Sequence, residues 1–327
     1  MTLTHRQRLL ACLAGEQPDR PPVALWRHFP VDDQSAAGLA NATLAFQRTY
    51  DFDLVKVTPA SGYFLYDWGV QDAWRGNFEG TREYTRRVID SAADWGRLPA
   101  LEPSGGHLGE QLMALRAITE ALGPETPVIM TIFNPLSQAK KLVGDEALGT
   151  HMQQHRAALH QGLQTILEST RRFIQAAAKT GIAGIFYAVQ HAQRGVLSVE
   201  DYAEFGQAYD LPALEAAAPL WLNMLHLHGQ DVMFDELASY PVQAINWHDQ
   251  ETPPSLAEAQ ARFPGVVCGG LRQWETMALG TPEQVAAEAR AALQATGGRR
   301  FILGTGCVTP MIAPHGNLMA AREAEEG

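Results

Sequence analysis

Short apolar runs recur along the chain, separated by longer segments of helical periodicity. Eight runs read as strands: residues 22–26, 54–57, 127–133, 184–189, 221–228, 244–248, 266–271 and 301–306. Several are almost continuously apolar, as parallel strands covered on both faces are. Apolar positions at helical spacing predict helices over 39–49, 112–122, 151–179, 199–217, 230–239, 255–263 and 281–296, with a last one over 317–324. Thr281-Pro282 supplies a helix N-cap followed by proline at the first helical position. Eight such strand–helix units predict an α/β fold, the TIM (β/α)8 barrel, in a single domain over residues 1–327. A doubly wound open sheet is the runner-up, but no glycine-rich nucleotide fingerprint follows the first strand. Residues 62–103 are long and irregular, and predict an insertion that forms an excursion or lid near the barrel mouth.

Composition narrows the function classes. A net charge of −11 argues against a general nucleic-acid binder. No apolar run is long enough for a membrane span. The N-terminus opens an amphipathic helix and lacks the apolar stretch of a signal peptide. Cys12, Cys268 and Cys307 make no disulfide framework and suit a reducing, cytoplasmic compartment.

The chemistry gathers where the strands end, which is where barrel enzymes act. His226 and His228, two apart in Leu225-His226-Leu227-His228-Gly229, project from one face of one strand. Neutral imidazoles placed so are natural zinc ligands, although barrel histidines also serve as buried hydrogen-bonding groups. Cys307 follows the last strand and is a third candidate ligand; Cys268 lies inside a strand and reads as core. His248 is open to three readings: acid–base group, extra ligand or support for a ligand. Arg27 and His28 suit an anionic substrate group or a rim salt bridge. Tyr63, Tyr66 and Trp68 would line a pocket or pack a lid. Asn134 and Gln190 would orient a substrate or satisfy loop backbone, and Tyr187 and Trp247 complete the polar and aromatic rim.

Four stretches resemble the uroporphyrinogen decarboxylase-like superfamily: residues 6–23, Asn134-Pro135-Leu136-Ser137-Gln138-Ala139, Leu197-Ser198-Val199-Glu200-Asp201-Tyr202, and Gly304-Thr305-Gly306-Cys307-Val308-Thr309-Pro310. The resemblance implies a TIM barrel and offers two branches. The metal-free decarboxylases carry an Arg-Gln-Ala-Gly-Arg motif for substrate carboxylates. Here Trp26-Arg27-His28-Phe29-Pro30 keeps a counterpart only for the first arginine. The zinc-dependent, corrinoid-linked methyltransferases carry His-X-Cys and a later cysteine. His226, His228 and Cys307 match those positions, with histidine replacing the middle cysteine. That exchange removes one negative charge, which disfavours a thiolate nucleophile and favours Lewis-acid activation.

The resemblance therefore implies a methyltransferase or demethylase that moves a methyl group between a small methylated substrate and a corrinoid. His226, His228 and Cys307 would hold Zn2+. His248, Tyr63 and Gln190 would act in catalysis, while Arg27, His28, Tyr66, Asn134, Tyr187 and Trp247 would bind substrate. The cobalamin would ride on a separate corrinoid protein, since no Asp-X-His-X-X-Gly motif is present. A homodimer is compatible with this reading. A metal-free decarboxylase and a non-catalytic ligand-binding barrel are the alternatives.

Overall fold

The computed structural model describes residues 2–324. Among these residues nine strands occur. They are β1 (Val55–Val57), β2 (Gln71–Ala73), β3 (Glu83–Arg86), β4 (Val128–Phe133), β5 (Gly184–Val189), β6 (Met224–Leu227), β7 (Ala244–Trp247), β8 (Val266–Leu271) and β9 (Phe301–Thr305). Seven of them form one curled parallel sheet in the order β1-β4-β5-β6-β7-β8-β9. Helices cover its outer side, chiefly Ala36–Tyr50, Gly106–Leu122, Arg156–Ala178 and Pro282–Thr296.

The expected first strand is reduced. Residues 22–26 contribute a single parallel bridge, Val23 to Leu303. Leu303 N–H donates to Pro22 O and Ala24 N–H to Leu303 O, both at 2.9 Å, and Asp53 N–H donates to Val23 O at 2.8 Å. Two prolines at 21 and 22 remove backbone donors there, so a full ladder cannot form. Asp53 holds this segment instead: its carboxylate accepts from Val23 N–H at 2.8 Å, Arg20 at 2.6 Å and Arg8 at 2.6 Å.

Several helices depart from the apolar pattern. The segment read as one helix over 151–179 is two, Asp145–Gln154 and Arg156–Ala178, parted at His155. The helix over 230–239 shrinks to Phe234–Leu237. A helix not anticipated, Pro135–Val143, starts where Asn134 Oδ1 accepts from Ser137 N–H and proline occupies the first turn. The irregular 62–103 segment contains the two-stranded antiparallel sheet β2-β3. Among the described residues no helix is long and apolar enough to cross a membrane.

Strand parity decides what faces the site. Partners across a parallel ladder point to the same face. The register aligns Ala188 with His226, His226 with Asn246, and Asn246 with Cys268. Lys56 aligns with Ile129, which aligns with Gly184. These residues belong to the face that lines the inside of the curl, where Ala24, Trp26, Leu54, Ile129, Phe186, Ala188, Met224, Ala244, Cys268 and Ile302 form a second, smaller core. The larger core lies between the sheet and its helices.

Candidate metal centre and its cleft

The inner face turns polar toward the C-terminal ends of the strands. His226 is the third residue of β6, and His228 follows one residue after the strand. His248 follows β7, and Cys307 lies two residues beyond β9. One ligand atom from each of these four side chains lies within 4.8 Å of every other. His248 Nε2 is 3.3 Å from His228 Nδ1, and Cys307 Sγ is 3.8 Å from the same nitrogen. A tetrahedral zinc ion separates its nitrogen and sulfur ligands by about 3.3–3.6 Å at ordinary bond lengths.

The orientation of His226 is fixed from behind. Its Nδ1 lies 2.7 Å from Asn246 Oδ1. Asn246 Nδ2 donates to Cys268 O at 2.9 Å and Thr305 O at 3.0 Å. Two carbonyls leave only one sense for the amide, so its oxygen must accept from His226. His226 then carries its proton on Nδ1 and presents the Nε2 lone pair. This is the arrangement a metal-ligating histidine requires.

Burial keeps the histidines neutral. It lowers the pKa of His228 to about 4, with the neighbouring His248 adding to the effect, and that of His248 to about 4. The wholly enclosed His226 is pushed down as well. The Cys307 thiol is raised by burial to about 11. Three neutral imidazoles and one ionisable thiol form a borderline-soft donor set, which fits zinc better than a hard cation. Gly306 permits the approach of Cys307: a Cβ there would stand 2.7 Å from His248 Cα and 2.9 Å from Trp247 O.

The cluster opens on a cleft of about 630 Å3, partly continuous with solvent. Its wall includes Trp26, Phe133 and Phe186, and the polar side chains of His28, Lys56, Thr58, Glu79 and Gln190. Glu79 and Thr81 come from the loop between β2 and β3, so the 62–103 segment reaches the cleft.

The structure gathers His226, His228, His248 and Cys307, with His28 and Gln190 on the same cleft. It places the other expected site residues elsewhere. Tyr187 aligns with Leu225 and Trp247 with Leu227, so both face the helices. Tyr187 OH and Asn134 Nδ2 each donate to the buried Asp210 Oδ1 at 2.9 Å. Trp247 Nε1 donates to Pro254 O at 3.0 Å. Tyr63 OH donates to Thr131 O at 2.8 Å, and Tyr66 OH to Asp72 Oδ2 at 2.7 Å. Arg27 lies over the rings of Phe29 and Phe46, outside the cleft lining. Sequence reasoning gave no role to Asn246 or Lys56. Lysine at the centre of Leu54-Val55-Lys56-Val57 was the available signal, since a charge in a buried strand needs a reason.

A family model described as uroporphyrinogen decarboxylase (URO-D) matches residues 4–326, and the chain belongs to that family. No curated protein matches in sequence. Among solved structures, a methyltransferase from Methanosarcina mazei superimposes with a TM-score of 0.86 at 19% identity, over 98% of each chain. A B12-independent methionine synthase from Shewanella sp. W3-18-1, in complex with selenomethionine, gives a TM-score of 0.61 at 13% identity over 94% of each chain. At these identities the likeness is one of fold.

Proposed function

We propose that this member of the uroporphyrinogen decarboxylase family is a zinc-dependent methyltransferase or demethylase acting with a corrinoid protein. The observation that carries the reading is the convergence of His226, His228, His248 and Cys307 at one point, with His226, His228 and Cys307 on the cleft wall. The methyltransferase among the structural neighbours supports it at the level of fold. In this reading the chain is a single barrel domain, residues 22–26 are its reduced first strand, and 62–103 is the excursion over the mouth.

His226, His228 and Cys307 would hold the metal, with His248 as a fourth ligand that a substrate heteroatom would displace or join in a five-coordinate site. When bound, zinc supplies Lewis acidity to the heteroatom that carries or receives the methyl group. Asn246 keeps His226 in the ligating tautomer. The rings of Trp26, Phe133 and Phe186 line the cleft and would limit water around a bound substrate. Gln190 and Thr58 would orient the substrate. Three imidazoles and one thiolate leave a divalent ion with one net positive charge. Such a centre holds a neutral ether or amine oxygen or nitrogen more readily than it activates a thiolate, so demethylation toward a corrinoid acceptor is favoured. The decarboxylase alternative loses its anchor, because Arg27 lies outside the cleft lining.

Metal analysis of the purified protein tests this first, with one zinc per chain expected. Cys307→Ser should lower zinc affinity by roughly 100-fold or more. In cobalt-substituted protein, Cys307→Ser should abolish the thiolate-to-metal charge-transfer absorption, whereas His248→Ala should keep that band and alter the ligand-field spectrum. Zinc-loaded protein should then exchange methyl groups between methylcobalamin and small acceptors. Metal content that does not change in Cys307→Ser, together with no methyl exchange, would sink the reading.

A further inference from the structure

The four clustered side chains are not held alike. His226 lies within β6 and is backed by a neutral amide, with Asn246 Oδ1 at 2.7 Å from its Nδ1. His248 lies just past β7, in a turn where Glu251 N–H and Thr252 N–H donate to His248 O at 2.8 and 2.9 Å. The two nitrogens of its ring face different partners. Nε2 faces the cluster, 3.3 Å from His228 Nδ1. Nδ1 is buried and completes no hydrogen bond, and Glu251 Oε2 stands 3.4 Å from it. The other acidic side chain of the turn, Asp249, is engaged elsewhere: its Oδ2 accepts from Gly270 N–H at 3.0 Å and from Gln250 Nε2 at 2.7 Å. A second carboxylate shares the neighbourhood. Glu79 lines the cleft, and Trp274 Nε1 donates to its Oε1 at 3.3 Å. Burial raises the pKa of Glu79, the Trp274 bond opposes the rise, and the charge of Glu251 adds to it.

A histidine that ligates through Nε2 carries its proton on Nδ1. A buried N–H without an acceptor is unfavourable, so the proton needs a partner. The Glu251 side chain is 40% exposed and has room to close the short remaining distance. Hydrogen bonds at such sites are often long until the site is occupied. A carboxylate behind a ligating imidazole fixes the ring and raises its donor strength. It also brings charge. Three imidazoles and one thiolate leave a divalent ion with one net positive charge, and Glu251 offsets it.

We propose that Glu251 is the positioning residue for His248 and sets the charge preference of the metal centre. Its carboxylate accepts the Nδ1–H, which keeps Nε2 turned to the cluster. Its negative charge discourages anions from the position that a substrate takes on the metal. A neutral methylated oxygen or nitrogen is then admitted in preference to an anion. This assignment rests on the metal reading above and extends it from which residues hold the ion to which ligands the ion accepts.

Cobalt-substituted protein gives the test, with Glu251→Gln and Glu251→Ala beside wild type. Glutamine keeps an acceptor oxygen without the charge, and alanine removes both. Azide, an anion, and imidazole, a neutral ligand, are titrated against the cobalt absorption. Azide should bind roughly 3- to 10-fold more tightly to both variants than to wild type, and imidazole equally to all three. Glu251→Ala should alter the ligand-field spectrum and weaken zinc binding roughly 10- to 100-fold by chelator competition. Glu251→Gln should keep the wild-type spectrum and lose less. A lowered melting temperature with unchanged azide selectivity would make Glu251 a structural residue and overturn the proposal. So would azide and imidazole affinities that match wild type in both variants. Tighter binding of both probes alike would also overturn it, since that marks an opened site rather than a removed charge. If Glu251→Ala does not fold, the azide contrast in Glu251→Gln decides. Wild type that takes up neither zinc nor cobalt would sink the metal reading and this proposal with it. One metal per chain with unmoved azide affinity would overturn the Glu251 assignment alone.

Discussion

His226 and Asn246 sit side by side on neighbouring strands, with Nδ1 of the one 2.7 Å from Oδ1 of the other. The amide cannot turn over, since its Nδ2 is committed to Cys268 O and Thr305 O. One asparagine thus sets the tautomer of a candidate ligand and ties its own strand, β7, to three others, β6, β8 and β9.

Asn246→Ala should therefore weaken metal binding without removing a ligand. Partners behind a metal ligand typically contribute about 10- to 100-fold in affinity. Competition with a chromophoric chelator would measure it, alongside circular dichroism to confirm the fold. Wild-type affinity in a folded variant would show that the lock on His226 is idle.

Metal uptake should release about one proton in the neutral range. The histidines are already neutral there, because burial holds His228 and His248 near pKa 4. The Cys307 thiol, raised to about 11, is still protonated and must ionise to bind. Affinity should accordingly rise with pH through neutrality, and fall more steeply below about pH 4, where the imidazoles also protonate. Calorimetry in buffers of different ionisation enthalpy counts the protons. A count near zero would mean that Cys307 does not ligate.

Gly306→Ala should separate Cys307 from the cluster. The new methyl would meet His248 Cα at 2.7 Å and Trp247 O at 2.9 Å, and neither backbone can yield cheaply. Zinc affinity should drop while the melting temperature changes by only a few degrees. A large loss of stability with intact zinc binding would instead make Gly306 a fold residue.

Asp53→Ala should cost about 3–5 kcal/mol of stability, because Arg8 and Arg20 would keep buried charges without their shared carboxylate. Burial alone would raise the Asp53 pKa, but hydrogen bonds from His5 and Arg20 hold it well below the usual carboxylate range. Hydrogen bonding from Arg8 lowers Asp19 to about 2. Both carboxylates are depressed, so their contribution is present above about pH 4 and is lost as pH falls toward 2. His5 is shifted the other way, upward, by its hydrogen bond to Asp53. Its contribution is full below about pH 6.5 and fades as pH rises through its folded value. Urea midpoints across pH should show both flanks in wild type, and Asp53→Ala should flatten them.

Much of the site was legible from local pattern. His226 and His228 share a strand face at a spacing of two, and Cys307 closes the last apolar run; the structure places all three on one cleft. Position alone misled for Tyr187 and Trp247. Both lie near strand ends, but each is one residue out of step with the inner row, and a one-residue offset sends a side chain to the opposite face. The parity was readable from His226 once the register between strands was known, and register is a property of pairing rather than of one strand. Asn134 and Tyr187 looked like rim groups because polar residues at strand ends usually are. Their true partner, Asp210, lies far along the chain in a helix, and no local signal announces it.

The amino-acid sequence by itself determined the alternation of strands and helices, the inward row of β6 and the family to which the chain belongs, because each depends on neighbours in sequence or on near end-to-end similarity. Tertiary structure alone decided that the first strand shrinks to one bridge, that His248 joins the cluster, and that Asn246 stands behind His226. It also decided that Lys56 is buried on the cleft wall against the ring of Phe186. Those facts arise where separate strands are brought into register, and the energy that sets register is spread over the whole sheet rather than written in any one segment.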